Sequence, residues 1–317
     1  MSVTTAQALR SLLGGDDRHA LAAIFGTRAH FDEPLAPYTS WKIGGPADAL
    51  VAVESEDELA ALMRFCFKRR MPWFAIGGGS NVLIGDGGLR GIVIRLGGAF
   101  AGIEVRTEGE RVIVEAGASA GMAAVTAKAA SAGAASIGSL AGIPGTVGGS
   151  LRMNAGTDRE IGDFVQDVWV QSPSKPVAHP VTVQYFYRHS TLARDAIVSR
   201  VTLAFAKNDP SAVREEMRGR LVRRKDTQPI ALPNAGSCFR NPDGDKAARL
   251  IEATGAKGWR EGGAEVSPLH ANFINNVGGA SAKDVATLLA RVRSAVHERF
   301  GVELQLEVHL IGVFVDA

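Results

Sequence analysis

Cysteine is nearly absent from this 317-residue chain: Cys66 and Cys238 stand far apart, and neither belongs to a Cys-x-x-Cys pair. A zinc ribbon and a disulfide scaffold are thereby excluded, and Cys66, within an apolar helical pattern, reads as a small core residue. No apolar run approaches the ~18 residues of a membrane span. The N-terminus lacks the basic-then-apolar layout of a secretory leader, so the expected location is cytoplasmic, with no membrane insertion. Charge of one sign is lacking too: Lys+Arg number 35 against Asp+Glu 33, a formal net charge of +2. That excludes a global basic field for nucleic acid. No Gly-Lys pair occurs, hence no Walker A motif, and His297-Glu298 does not begin an HExxH motif because Gly301 takes the place of the second His.

Hydrophobic residues make up 46% of the chain and charged residues 21%, which is the composition of a globular protein with a real core. Its length predicts two or three domains. Glycine, at 37 residues, is in excess and clusters in loops without a period. Such loops turn sharply or let backbone approach a ligand.

Two short helical patterns within 4–27 break at Gly14-Gly15, and Pro34 and Pro37 mark a linker. A βαβ-like unit is expected next: strand 49–53, helix 56–70 with Leu59, Leu62, Met63 and Cys66 on one face, and strand 73–76. Ser55 and Glu58 have the spacing of a capping box. Strands are expected at 91–96, 103–107 and 111–115, the last two as a hairpin through Glu108-Gly109-Glu110. A small-residue helix at 120–132 precedes strands 165–171, 181–187 and 197–206. Pro210 opens helix 211–225, followed by a loop at 226–245, helix 246–254, strand 271–275, helix 282–300 and strand 303–308. The change from strands to helix puts a domain boundary at about 207–210.

Gly77-Gly78-Gly79-Ser80-Asn81 follows a buried strand. Successive N–H groups of such a loop can face one concavity and suit a pyrophosphate, though a plain tight turn has the same composition. It is not a GxGxxG, because Val82 stands where the third Gly belongs. A second cluster runs from Gly138 to Gly149, with Asn154-Ala155-Gly156 soon after. Two such loops fit a large dinucleotide with an isoalloxazine ring, or else are unrelated turns. Gly117-Ala118-Ser119-Ala120-Gly121 matches GxSxG, but Ser119 serves equally as the N-cap of the next helix. Arg218, Arg220, Arg223, Arg224 and Lys225 form either a solvated face or an electropositive wall for an anion. A serine hydrolase built on Ser119 and a non-catalytic binding protein remain the readings from other classes.

Taken in order, Thr39-Ser40-Trp41-Lys42-Ile43-Gly44-Gly45, the Gly77–Asn81 loop, the 140–149 cluster, Asn154-Ala155-Gly156, Tyr187-Arg188-His189-Ser190, Ala235 to Pro242, Gly262 to Ser267 and Leu306-Glu307-Val308 resemble the MurB family. Those proteins are UDP-N-acetylenolpyruvoylglucosamine reductases. The compact segment around Tyr187 is similar to the shorter type II branch. Thr157-Asp158-Arg159 departs from the family pattern.

The resemblance implies an α+β protein with a two-subdomain FAD-binding fold of the vanillyl-alcohol-oxidase (PCMH) type and a C-terminal α+β substrate domain. The corresponding division is an N-terminal helical extension 1–36, FAD-binding subdomains 37–97 and 98–208, and a substrate domain 209–317. It also implies non-covalent FAD, NADPH as co-substrate and UDP-N-acetylglucosamine enolpyruvate as substrate, with no obligate protein partner evident. By position in the family pattern, Arg188 and Glu307 stabilise the enolate that hydride addition creates, and Ser237 donates the proton. Gly77, Gly78, Gly79, Ser80, Asn81, Gly142, Ile143, Gly145, Thr146, Gly149, Asn154 and Ala155 fall at cofactor-binding positions. Tyr187, Lys225 and Asn241 fall at substrate-binding positions.

Overall fold

The computed structural model describes residues 10–315. Of the two helical patterns at the N-terminus, the second forms α1 (Gly15–Phe25); most of the first lies outside the described residues. The expected linker is in part a strand. β1 (Ala29–Pro34) pairs antiparallel with β2 (Pro46–Val53), so residues 29–34 belong to the first sheet rather than to a helical extension. Pro34 is tolerated because it ends an edge strand, where its missing N–H breaks no ladder.

Helix α2 (Glu56–Arg69) connects β2 to β3 (Trp73–Ala75); β4 (Val82–Ile84) and β5 (Leu89–Leu96) follow. The sheet order is β1-β2-β5-β3, with β2 and β3 both parallel to β5, which realises the βαβ expectation. Leu59, Leu62, Met63 and Cys66 of α2 are buried in the core beneath that sheet. Ser55 Oγ accepts the Glu58 N–H at 3.2 Å, but the return half of the capping box is displaced. The Glu58 carboxylate accepts instead from Glu54 N at 2.8 Å and from Arg28 Nη1 at 2.7 Å, because a guanidinium is the stronger donor. Fully buried Asp48 pins the sheet, accepting from Gly91 N at 2.7 Å and pairing with Arg90 at 2.7 Å.

β6 (Ile103–Glu108) and β7 (Arg111–Gly117) form the expected hairpin, with Gly109 at φ 56° in its turn. Next come α3 (Met122–Ser131), capped by Gly121 rather than Ser119, and α4 (Val147–Met153). β8 (Val165–Gln171), β9 (His179–Val181) and β12 (Ile197–Ala206) complete an antiparallel sheet ordered β6-β7-β12-β8-β9. The single strand expected over 181–187 is broken. β10 (Tyr185–Phe186) and β11 (His189–Ser190) instead make a two-residue hairpin whose turn is Tyr187-Arg188. A tight hairpin needs positive φ, and Arg188 supplies it at 55° despite its side chain. Helix α5 (Pro210–Thr227) starts at Asp209, which caps Ala212 N at 2.9 Å. It packs on α3 and the 137–140 turn, and its Val213 is buried in the core of the second sheet. The switch from strands to helix at Pro210 is thus not a switch of core.

The remainder comprises α6 (Ala247–Ala253), β13 (Arg260–Glu261), β14 (Ala264–Val266), β15 (Ile274–Asn276), α7 (Ala282–Phe300) and β16 (His309–Ile311). Ser281 and Asp284 form a full capping box on α7, and Gly301 at φ 67° ends it. Trp41, Ile43 and Leu83 reach into this last core from the first body, and fully buried Trp41 donates from Nε1 to Ile274 O at 2.7 Å. The final strand is β16, not 303–308. Residues 303–308 alternate like a strand, but their backbone pairs with the 238–240 loop, through one bridge at Phe239↔Leu306, and not with a strand. β16 pairs parallel with β4, carrying the end of the chain back to the first body.

Candidate active site

The Gly77–Gly79 turn leaves β3 and lies directly against the 142–149 cluster. A Cβ on Gly78 would sit 2.6 Å from Gly145 Cα, and one on Gly77 would sit 2.4 Å from Thr146 Oγ1. Ser80 Oγ donates to Pro144 O at 3.3 Å and ties the two loops together. Gly79 is required for packing within the protein as well, since at φ 59° its Cβ would fall 2.1 Å from Tyr38 O. Together the loops wall a cavity of about 390 Å³, lined on this side by Gly77 through Asn81, Ile143, Thr146, Gly149 and Ala155. A second cavity of about 160 Å³ lies behind it and shares Gly77, Thr146, Gly149 and Arg152 as walls. Gly142, Gly145 and Asn154 are not on the cavity wall. Gly142 makes room for Arg224, whose Cδ would be 2.9 Å from an added Cβ; Gly145 makes room for Ser80 Oγ at 2.7 Å. Asn154 ends α4 at φ 45°, and its amide accepts from Gly162 N at 2.9 Å and donates to Phe186 O at 3.0 Å.

The same cavity wall brings together Arg188, Ser237 and Glu307, and Asn81 Nδ2 donates to Glu307 O at 3.0 Å. The pairing of 238–240 with 305–307 does this for the last two: Glu307 N donates to Cys238 O at 2.8 Å and Arg240 N to Gln305 O at 2.9 Å. Asn272 clamps the same loop, accepting from Phe239 N at 3.0 Å and donating to Phe239 O at 2.8 Å. Ser237 Oγ makes no hydrogen bond to the described residues. Arg188 arrives on the β10–β11 turn. Its Nε donates to Glu307 Oε1 at 2.9 Å, Nη1 to Glu160 Oε1 at 3.0 Å and Nη2 to Gly156 O at 3.1 Å. Burial raises the Glu307 and Glu160 carboxyl groups above the ordinary carboxylate range, against the opposing pull of Arg188. The neighbouring Cys238 thiol is pushed up to about 12 by complete burial, so it stays a neutral core group.

Tyr187, Lys225 and Asn241 lie outside the cavity wall. Tyr187 is exposed, with the Arg188 guanidinium carbon 4.9 Å from its ring centroid, and Asn241 Oδ1 accepts from Ala247 N at 3.0 Å at the start of α6. Arg224 stands on the wall instead of Lys225. Arg224 belongs to the basic run read as a solvated face or an electropositive wall, whereas sequence reasoning passed over Arg152 and Glu160. Arg152 lines both cavities and donates only to the Leu192, Ala193 and Ala196 carbonyls among the described residues. Burial pulls the pKa of both Arg152 and Arg224 down from the ordinary arginine range, and neither has a carboxylate partner among the described residues. Nothing in the local pattern marks Arg152 or Glu160, because their importance comes from what folds over them. Thr157 lines the cavity and Asp158 pairs with Arg220 at 2.6 Å, so this segment docks on α5.

These features fit a flavin dinucleotide. Two side-chain-free loops bare their backbone, two uncompensated guanidinium groups await an anion, and the buried Ser119 Oγ on the second cavity has no partner. Ser119 is not a hydrolase nucleophile, because neither a histidine nor a carboxylate lines its cavity to act as base.

Comparison with known proteins agrees. Residues 47–171 match a family model described as an FAD binding domain, and residues 228–311 match the C-terminal domain of UDP-N-acetylenolpyruvoylglucosamine reductase. The chain is 42% identical over 288 residues to UDP-N-acetylenolpyruvoylglucosamine reductase of Moorella thermoacetica, covering 89% of this chain and 92% of that protein. It is 44% identical over 287 residues to UDP-N-acetylenolpyruvoylglucosamine reductase 2 of Symbiobacterium thermophilum, covering 88% and 91%. The crystal structure of MurB from Thermus caldophilus superposes with a TM-score of 0.77 at 33% identity, covering 89% of this chain and 97% of that one. The fold is therefore the α+β, vanillyl-alcohol-oxidase-type FAD-binding fold with a C-terminal α+β domain, and the chain belongs to the UDP-N-acetylenolpyruvoylglucosamine reductase (MurB) family of FAD-dependent oxidoreductases.

Proposed function

We propose that the protein reduces UDP-N-acetylglucosamine enolpyruvate to UDP-N-acetylmuramate, with NADPH as the source of reducing equivalents, as a step of peptidoglycan precursor synthesis. The observation that carries this reading is the convergence of Arg188, Ser237 and Glu307 on the wall of the cavity that two Gly-rich loops also line. FAD, held non-covalently by those loops with Arg152 lining both cavities, supplies hydride to carbon when bound. Hydride at the vinyl β-carbon drives electron density through the α-carbon into the carboxylate, which needs donors set in place beforehand. Arg188 is such a donor, because three protein oxygens fix its plane before substrate arrives. Glu307, when protonated, donates to the same carboxylate. Ser237 passes the proton to the α-carbon; an alcohol is a weak acid, so it serves as the near end of a relay through water. Arg224 on the cavity wall, with Lys225, Tyr187 and the amide nitrogen of Asn241 beyond it, offers donors to the diphosphate.

The test is steady-state oxidation of NADPH by the flavin-loaded protein, with and without the enolpyruvyl sugar. The sugar should accelerate oxidation and give UDP-N-acetylmuramate. A yellow protein indifferent to the sugar would refute the assignment.

A further inference from the structure

Arg188 stands between two carboxylates that are not equivalent. Glu160 is engaged at both oxygens: Oε1 accepts from Arg188 Nη1 at 3.0 Å, and Oε2 accepts a short hydrogen bond from Asn154 Nδ2. Asn154 is in turn fixed by Gly162 N and Phe186 O. Glu307 is engaged only at Oε1, by Arg188 Nε at 2.9 Å, and its Oε2 takes no hydrogen bond from the described residues. The two carboxylates share the Arg188 guanidinium, and the one better supplied with hydrogen-bond donors is the one it holds as the anion. Glu160 has charged and neutral donors on both oxygens and suits the ionised form. Glu307, with one oxygen open, suits the acid.

We propose that Glu160 is a positioning residue that acts as the standing counter-ion of Arg188 and thereby leaves Glu307 free to hold a proton on the face of the cavity. The inference rests on the roles given to Arg188 and Glu307 above. An ionised Glu307 would repel the substrate carboxylate and could donate nothing to it. With Glu160 charged, the Arg188 charge is already spent, and Glu307 need not ionise to balance it. The groups that face Glu307 are Arg188 from the β10–β11 turn, Glu160 from the segment after α4, and Arg240 and Cys238 from the loop before α6. Arg240 also acts on His309, two residues along the chain from Glu307. Both arginines favour the anion, and Glu160 is the negative charge set against them.

The experiment compares FAD-loaded wild type, Glu160→Gln and Glu160→Asp. In the first measurement, the infrared C=O stretch of a buried protonated carboxyl is assigned by its loss in Glu307→Gln. At neutral pH it should persist in wild type and in Glu160→Asp and be lost in Glu160→Gln. In the second, flavin reoxidation by the enolpyruvyl sugar is followed against pH. Losing a neighbouring charge should move the alkaline limb of Glu160→Gln down by about one to three pH units. Above the new limb the rate falls roughly tenfold per unit, while at low pH the variant recovers. A residue that only held the loop in shape would lower the rate at every pH and leave the limb unmoved. Persistence of the band in Glu160→Gln, its absence from wild type, or an unmoved limb overturns the inference. If the band behaves as expected while the sugar is inert in wild type, the inference stands and the proposed reaction fails. Should Glu160→Gln not fold, a shifted band in Glu160→Asp, which keeps the charge, would equally refute it.

Discussion

Replacing Ser237 with alanine separates the two halves of the proposed cycle. Ser237 Oγ has no partner among the described residues and the residue is only partly buried, so folding stability should change by less than about 0.5 kcal/mol. Flavin reduction by NADPH delivers no proton to carbon and should proceed at the wild-type rate. Reoxidation by the enolpyruvyl sugar requires a proton at the α-carbon, and loss of a general acid slows such steps by about 10²–10⁴-fold. That equals about 2.7–5.4 kcal/mol of barrier at roughly 1.36 kcal/mol per decade. The adjacent thiol cannot replace the hydroxyl, because Cys238 is buried in the core and holds its proton up to about 12. Water bridging to Glu307 can, which sets the lower end of the range. Stopped-flow absorbance in the flavin band follows both phases on one sample. Equal slowing of both phases would make Ser237 a structural turn residue, and an unchanged reoxidation rate would remove it from the chemistry altogether.

Further expectations follow from the same geometry. Acid precipitation should release all flavin into the supernatant, since no Cys lines the main cavity and its one His, His309, bonds through Nε2 to Met153 Sδ at 3.1 Å; colour in the pellet would contradict this. Gly149→Val should fold, because an added Cβ meets only Thr146 Oγ1 at 3.7 Å, yet it should weaken FAD binding at least about tenfold by filling both cavities, as flavin fluorescence titration would report. Gly79→Val, by contrast, strikes Tyr38 O and should also lower the urea midpoint, with about 1–3 kcal/mol of backbone strain added to the clash. Both cysteine thiols are raised to about 12 by burial, so stability should be full below the ordinary thiol range near 9 and decline as pH climbs toward 12, because unfolding frees them to ionise; chemical denaturation at pH 8 and 11 measures the loss.

Local chemistry determined much of this protein. Apolar spacing and caps placed α2 and α7, alternation placed β8 and β12, and the βαβ unit followed from its periodicity. The Gly-rich loops were legible because bare backbone at that density has few uses, and Arg188, Ser237 and Glu307 only because an ordered set of motifs matched a family. Tertiary structure alone decided the rest. The 303–308 segment has strand alternation, yet it needed a partner strand and met a loop. Tyr187-Arg188 became a turn because Glu160, Glu307 and Gly156 hold Arg188 in a conformation that its own side chain disfavours. Pro210 starts a helix, but Val213 chose the second sheet's core, a matter of long-range packing. Glu160 and Arg152 look like ordinary surface charges in the sequence, and Arg224 like one member of a basic run. Burial and the company of other charges give them their significance, and neither exists before the chain folds.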